Sequence, residues 1–286
     1  SILPFPSRFL RLGNWQFHYL DEGSGVPVLM LHGNPTWCFM YRDLVASLRG
    51  DFRTLVPDHL GCGLSDRPAP GQYPFTLSRR VEDLEDFVAA VLESNDAFHL
   101  VVHDWGGLIG TAYAVRHPER ILSLTVLNTA AFRVPPGSSL HWTLRFCRRS
   151  RIAAFLIQRL GAFNWGACLL GSRGGLPRKV RRGYLAPYRT YRDRLAVLRF
   201  VQDIPLTESD PSYRAVCRME EGLARLAEKP VLIAWGMRDF IFDQAFLERW
   251  LEFFPGAEVH RFAGAGHYVM EDASVELKEI LESFLK

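Results

Sequence analysis

Short apolar runs alternate with stretches of helical period along most of this chain. Val28 to Leu31, Phe52 to Val56, Phe98 to Val102, Ile121 to Leu127 and Val231 to Trp235 read as strands, and a more polar, alternating run follows at Ala257 to Phe262. Between them lie helical patterns at Trp37 to Leu48, Leu77 to Leu92, Gly106 to His117, Gln244 to Phe254 and Val275 to Leu285. A strand that is apolar on both faces must be covered on both, so the alternation predicts an α/β fold with a mostly parallel sheet flanked by helices. With 286 residues, 48% of them apolar, the chain can bury such a core. No period of about 20 to 50 residues repeats, which argues against solenoids and propellers. The segment Ser1 to Asp21 reads as an alternating hairpin turned at Gly13-Asn14, without the basic and then apolar regions of a secretion signal.

The rhythm stops between Asn128 and Lys229, where the sequence turns helical, Arg-rich and punctuated by proline. We expect a helical cap there, giving a first core segment at 1–132, a cap at 133–228 and a second core segment at 229–286. Open α/β sheets bind ligands at the carboxyl ends of their strands, so the cap should roof the site. It also carries the charge. Of 34 Lys and Arg and 31 acids, fourteen bases but only one acid, Asp193, fall between His141 and Arg199: +13 here against −10 for the remainder. A single-sign field of that size attracts anionic partners. Within it, Ile152 to Gly171 is nearly uncharged and long enough to span a bilayer. The Gln158-Arg159 pair and Gly161 fit a buried helix pair better, with Phe155, Leu156, Phe163 and Trp165 available to line an apolar tunnel.

One short stretch carries the chemistry. Val102-His103-Asp104-Trp105-Gly106 closes an apolar strand and opens a small-residue helix, and it resembles the nucleophile elbow of an α/β-hydrolase with a carboxylate where most such enzymes carry serine. An aspartate can displace a leaving group from an alkyl carbon or a strained ring and form an ester. Its bland alternative is a helix N-cap, worth about 1 kcal/mol. A nucleophile needs a base, an acid to orient the base, and donors for developing negative charge. His267, in a glycine-bearing loop after the last strand, is the candidate base. His32, His59 and His103 also stand beside strand ends, where structural hydrogen bonding is expected of them. The orienting acid should follow the penultimate strand, where Asp239 stands; Asp243 fits the cap of the next helix. The end of the strand Ile121 to Leu127 is the other place for such an acid, and it holds Asn128, which cannot carry the charge. Asn34 and Trp105 offer the donors, and Asp58 to Asp66 reads as a scaffold turn.

Five scattered cysteines, Cys38, Cys62, Cys147, Cys168 and Cys217, without C-x-x-C spacing, fit neither a disulfide framework nor a Cys-based zinc site and suit a reducing cytoplasm. Neither a cofactor nor a metal is expected.

With His32-Gly33-Asn34-Pro35, His103-Asp104-Trp105-Gly106-Gly107, Asp239 and His267 in this order, the chain resembles the haloalkane dehalogenase family over nearly its whole length. The resemblance implies an α/β-hydrolase fold in which Asp104 displaces halide, Asn34 and Trp105 hold the departing anion, Asp239 orients His267, and His267 activates water to hydrolyse the ester. The cap is similar to something narrower. Asn128 to Phe132, Tyr184-Leu185-Ala186-Pro187-Tyr188 and Arg199 to Leu206 resemble the β-lactone decarboxylases of bacterial long-chain olefin synthesis, grouped with subfamily III dehalogenases. That resemblance implies opening of a strained lactone at Asp104 and loss of carbon dioxide to leave a cis-olefin. Halide and carboxylate are both anionic leaving groups, so these site residues serve either reaction.

Other readings make different demands. An epoxide hydrolase would use cap tyrosines, for which Tyr184, Tyr188 and Tyr191 are available. A ligand-binding homologue without turnover would have lost a triad member, and a coelenterazine-type luciferase would carry a carboxylate at Asn128. The expected ligand is a small hydrophobic molecule, not nucleic acid. The basic cap is expected to meet a protein partner or a membrane surface, in an oligomer or multi-enzyme assembly, with the enzyme cytoplasmic or membrane-associated.

Overall fold

A computed structural model describes residues 3–138 and 141–286. Eight strands, β1 (Arg8–Leu12), β2 (Trp15–Glu22), β3 (Pro27–Leu31), β4 (Arg53–Pro57), β5 (Phe98–His103), β6 (Ile121–Leu127), β7 (Val231–Gly236) and β8 (Glu258–Phe262), form one sheet in the order β1-β2-β4-β3-β5-β6-β7-β8. The hairpin β1-β2 turns at Gly13-Asn14 and joins β4 antiparallel; the pairs from β4 to β8 are parallel. The alternation of side chains across a strand sorts the apolar runs into two cores. Leu29, Leu31, Leu100 and Val102 pack on one face, and Val28, Met30 and Val101 on the other.

Helices α1 (Arg42–Leu48), α2 (Leu77–Val91) and α3 (Trp105–Arg116) precede the cap. The cap supplies α4 (Trp142–Arg149), α5 (Arg151–Phe155, continued by a π-turn over Leu156–Leu160), α6 (Ala162–Leu170), α7 (Arg178–Leu185) and α8 (Leu195–Gln202). Then come α9 (Tyr213–Gly222), α10 (Gln244–Phe253), α11 (Val269–Asp272) and α12 (Ser274–Phe284). Helix α9 lies on α3, with Ala215, Val216 and Met219 in the same apolar cluster as Ala112 and Val115.

Helix α7 and the turn after it are tied down at the carboxyl edge of the sheet. Trp37 Nε1 donates to the Gly183 carbonyl at 3.0 Å, Tyr188 Oη to the Thr36 carbonyl at 2.8 Å, and Tyr184 Oη to Glu271 at 2.6 Å. Helix α8 is the most deeply placed, with Ala196, Val197, Phe200 and Val201 all buried. The apolar pair α5-α6 differs from the expected buried pair. It bends by 80° at Gly161, and its outer face is exposed, including Phe155 at 58% and Trp165 at 48%.

Candidate active site

Strand β5 ends at His103, and Asp104 follows at φ +50°, ψ −126°, with α3 beginning at the next residue. A non-glycine residue held at positive φ costs about 1–3 kcal/mol and persists where its surroundings over-determine it. Here the Asp104 N–H donates to the Asn128 carbonyl at 3.3 Å, and the Asp104 carbonyl accepts from Thr129 Oγ1 at 2.5 Å and from the Gly107 N–H at 2.9 Å. Glycines make the approach possible. A Cβ on Gly106 would stand 2.0 Å from the Leu31 carbonyl oxygen, and one on Gly33 would stand 2.2 Å from Asp104 Oδ1.

The Asp104 side chain makes no helix-capping hydrogen bond. Its Oδ1 accepts from the Asn34 backbone N–H at 2.6 Å, and its Oδ2 lies 3.8 Å from His267 Nε2. Burial pushes the Asp104 carboxyl above its ordinary value, against the His267 charge and the N–H groups of Asn34 and Trp105.

His267 Nδ1 lies 2.8 Å from Asp239 Oδ2. Burial pulls the imidazole down, but the charge and hydrogen bond of Asp239, together with Asp104, outweigh it and leave its pKa raised. Asp239 is itself held on both oxygens: Oδ1 accepts from the Ile241 N–H at 2.7 Å, and Oδ2 from Asn128 Nδ2 at 3.0 Å. Asn128 is clamped in turn, donating to the Gly236 carbonyl at 3.1 Å and accepting from the Gly236 N–H at 2.7 Å. Its position at the end of β6 was legible as a place for an acid, and the amide there instead holds the acid in the turn after the next strand. The sequence reading missed that role, and it missed Thr129.

The other histidines at strand ends, His103, His32 and His59, each meet a backbone carbonyl. His103 Nε2 lies 2.9 Å from the His267 carbonyl, and burial holds its pKa well below the ordinary value. His32 Nδ1 meets the Gly33 carbonyl at 2.8 Å, and His59 Nε2 the His32 carbonyl at 2.8 Å. Asp58 accepts from the N–H groups of Cys38 and Leu64 and lies 2.7 Å from His18 Nδ1, which pins the turn that begins there. Asp243 caps α10 by accepting from the Ala245 N–H at 3.0 Å.

Two apolar chambers meet at Asn34, and the Asp104 carboxylate lines the first of them. The first, about 90 Å³, is lined by Asn34, Asp104, Trp105, Phe132, Val201 and Phe246 among others. The second, about 240 Å³, runs under the cap past Ala153, Leu156, Ile157, Phe163, His267 and Tyr268. They share Asn34, Leu144, Phe163 and Ile241 as walls. Leu156 and Phe163 therefore line an apolar space as expected, whereas Phe155 and Trp165 do not. Asn34 Nδ2 donates to the Val197 carbonyl of α8 at 3.2 Å, so a cap helix fixes this amide. The Trp105 ring packs on Phe200 at 5.1 Å. Tyr184, Tyr188 and Tyr191 line neither chamber.

A strained carboxylate at a strand-helix elbow, facing a histidine that is held by a second carboxylate, beneath a helical cap, defines an α/β-hydrolase. The family model described as "alpha/beta hydrolase fold" matches residues 26–274, and the chain belongs to that family. Within it the chain is 43% identical over 286 residues to the cis-3-alkyl-4-alkyloxetan-2-one decarboxylase of Shewanella oneidensis, covering 100% of this chain and 90% of that one. It is also 31% identical over 287 residues to haloalkane dehalogenase 2 of Mycobacterium tuberculosis, covering 96% of this chain and 92% of that one. Among solved structures, a haloalkane dehalogenase of Agrobacterium tumefaciens superposes with a TM-score of 0.86 at 22% identity, over 98% of this chain and 96% of that one, which bears on the fold alone. The chain is thus an enzyme whose relatives are β-lactone decarboxylases and, at lower identity, haloalkane dehalogenases.

Proposed function

We propose that this enzyme is a β-lactone decarboxylase that converts a cis-3,4-dialkyl oxetan-2-one into a cis-olefin and carbon dioxide. The observation that carries the reading is the pair of apolar chambers that share Asn34 as a wall beside Asp104. A dialkyl lactone has two chains to place, whereas a simple haloalkane has one. The relative at 43% identity bears the same activity in its name.

Asp104 Oδ2 attacks the alkyl-bearing ring carbon next to the ring oxygen, forming a carbon–oxygen bond to the enzyme and breaking the bond from that carbon to the ring oxygen. The electron pair of that bond leaves on a free carboxylate, which Asn34 and Trp105 stabilise. Attack from behind leaves the Asp104 oxygen anti to this carboxylate. Loss of carbon dioxide across that anti arrangement returns the pair of the carbon–carbon bond as the double bond and releases Asp104, with both alkyl groups still on one side. No water is consumed.

A haloalkane reading is favoured by one observation. His267 Nε2 stands 3.8 Å from Asp104 Oδ2, beyond direct hydrogen bonding and suited to a base that reaches an ester through water. We therefore assign the enzyme weak dehalogenase activity as well, with Asp104 as nucleophile, His267 as base and Asp239 as its orienting acid. Incubation with a cis-dialkyl β-lactone should yield alkene by gas chromatography, and Asp104→Ala should abolish it. Absence of alkene beside rapid bromide release from 1-bromobutane would make the enzyme a dehalogenase.

The reading puts the enzyme in the cytoplasm, where its free thiols stay reduced. It gives the basic cap the task of holding the enzyme to a larger body, an assembly or a membrane.

A further inference from the structure

Of fifteen exposed large hydrophobic side chains among the described residues, nine fall between Trp142 and Leu170 on α4, α5 and α6. Ile152 is 69% exposed, Leu160 62% and Leu169 60%. Apolar surface gathered this way marks an interaction site, unlike apolar residues scattered singly. No single helix among the described residues is long and apolar enough to cross a membrane, and the α5-α6 pair is broken by its 80° bend. The nine residues of α6 reach about 14 Å, half the roughly 30 Å of a bilayer core.

Basic residues border this surface. Among the described residues no carboxylate lies within salt-bridge distance of Arg145, Arg149, Arg151 or Arg159 on these helices, nor of Arg178 or Arg182 on α7. The second chamber opens here too: Phe146, Leu156 and Leu170 line it and are at the same time 50%, 36% and 57% exposed.

We propose that the outer face of α4, α5 and α6 docks on an anionic lipid surface, and that the second chamber exchanges its apolar ligand with the bilayer through the wall it shares with that face. The occupant has to offer hydrocarbon and negative charge together, and an interfacial helix with aromatic and aliphatic residues beside arginines fits that pair of demands. A second copy of this chain would set arginine against arginine. The docking stands on this surface alone and does not depend on which substrate the site turns over.

Sedimentation of the full chain with vesicles tests it. Phosphatidylcholine vesicles containing about 30% phosphatidylglycerol should carry the protein down at low salt, while pure phosphatidylcholine vesicles leave most of it in solution. Arg145→Gln/Arg149→Gln/Arg151→Gln should weaken partitioning roughly 100-fold, and about 0.5 M salt should do much the same to the unaltered protein. Ile152→Ser/Leu160→Ser/Leu169→Ser should weaken it about tenfold or more with melting temperature and 1-bromobutane turnover unchanged, since none of the three lines a chamber. Failure of the unaltered protein to bind anionic vesicles would overturn the proposal. So would binding that both triple variants retain, or a lipid-free oligomer that the Ile152 triple variant dissociates.

Discussion

The floor of the chambers and the outer face of the cap differ in how many neighbours hold each side chain. Around Asp104, the backbone N–H and carbonyl, the carboxylate, the Asn34 amide and the His267-Asp239-Asn128 chain each have partners at hydrogen-bond distance. On α4, α5 and α6, large apolar groups and unpaired arginines face outward, and short helices bend at a glycine. A site that breaks bonds must be preorganised, because donors that need no rearrangement at the transition state are worth most. A surface that meets a soft partner needs only the right composition. The contrast predicts that single changes on the floor cost rate, while changes on the cap face alter location.

The largest effect should come from His267→Gln. With 1-bromobutane, alcohol release should fall roughly 1,000-fold or more and an alkyl ester on Asp104 should accumulate, visible by mass spectrometry. Alkene formation from the lactone, which needs no water, should fall far less. Equal losses in both reactions would mean that His267 takes part in the elimination.

Asn34→Ala removes a side-chain donor, and should lower kcat about 100- to 1,000-fold for either leaving anion, the usual cost of one such donor. Bromide release and alkene yield measure it. An unchanged kcat would place the anion elsewhere.

Asn128→Ala should slow alcohol release from the ester about tenfold through looser placement of Asp239. Its signature is in the pH profile. Hydrolysis needs neutral His267, whose pKa lies above its ordinary value, so the rate falls as pH drops through that raised value. Loosening Asp239 weakens the main raising influence and should move this limb to lower pH. The same raised pKa makes the pair's contribution to stability fully present below about pH 6.5 and lost as pH rises through the folded value. A loss of rate with the limb unmoved would mean that Asn128 acts on the elbow backbone and not on Asp239.

The smallest effect should come from Arg145→Gln/Arg149→Gln/Arg151→Gln, which removes exposed charges and should leave stability within about 0.5 kcal/mol per site by denaturant melts. Gly107→Ala, whose Cβ would stand 1.8 Å from Thr129 Oγ1, should by contrast cost about 3 kcal/mol or more.

Much of the core was legible because its cause is local. Strand β6 runs over Ile121–Leu127 as its apolar run does, α2 over Leu77–Val91, and α10 starts at the Asp243 cap. The carboxylate at the elbow was visible as a residue type at a turn. The cap was legible as an insertion but not in its packing: α9 has the same helical period whether it roofs the site or lies on α3, and the apolar content of α5 and α6 does not say which face is covered.

The residue types thus determined the parallel sheet and the chemistry available to Asp104, His267 and Asp239, because apolar period and side-chain identity are written in the order of residues. Only the tertiary structure decided that Asn128 would hold Asp239 from 111 residues away, that Val197 of the cap would fix the Asn34 amide, and that the face of α5 and α6 would stay uncovered. Each of these depends on which surfaces meet, and contacts between distant parts of a chain follow from packing the whole of it.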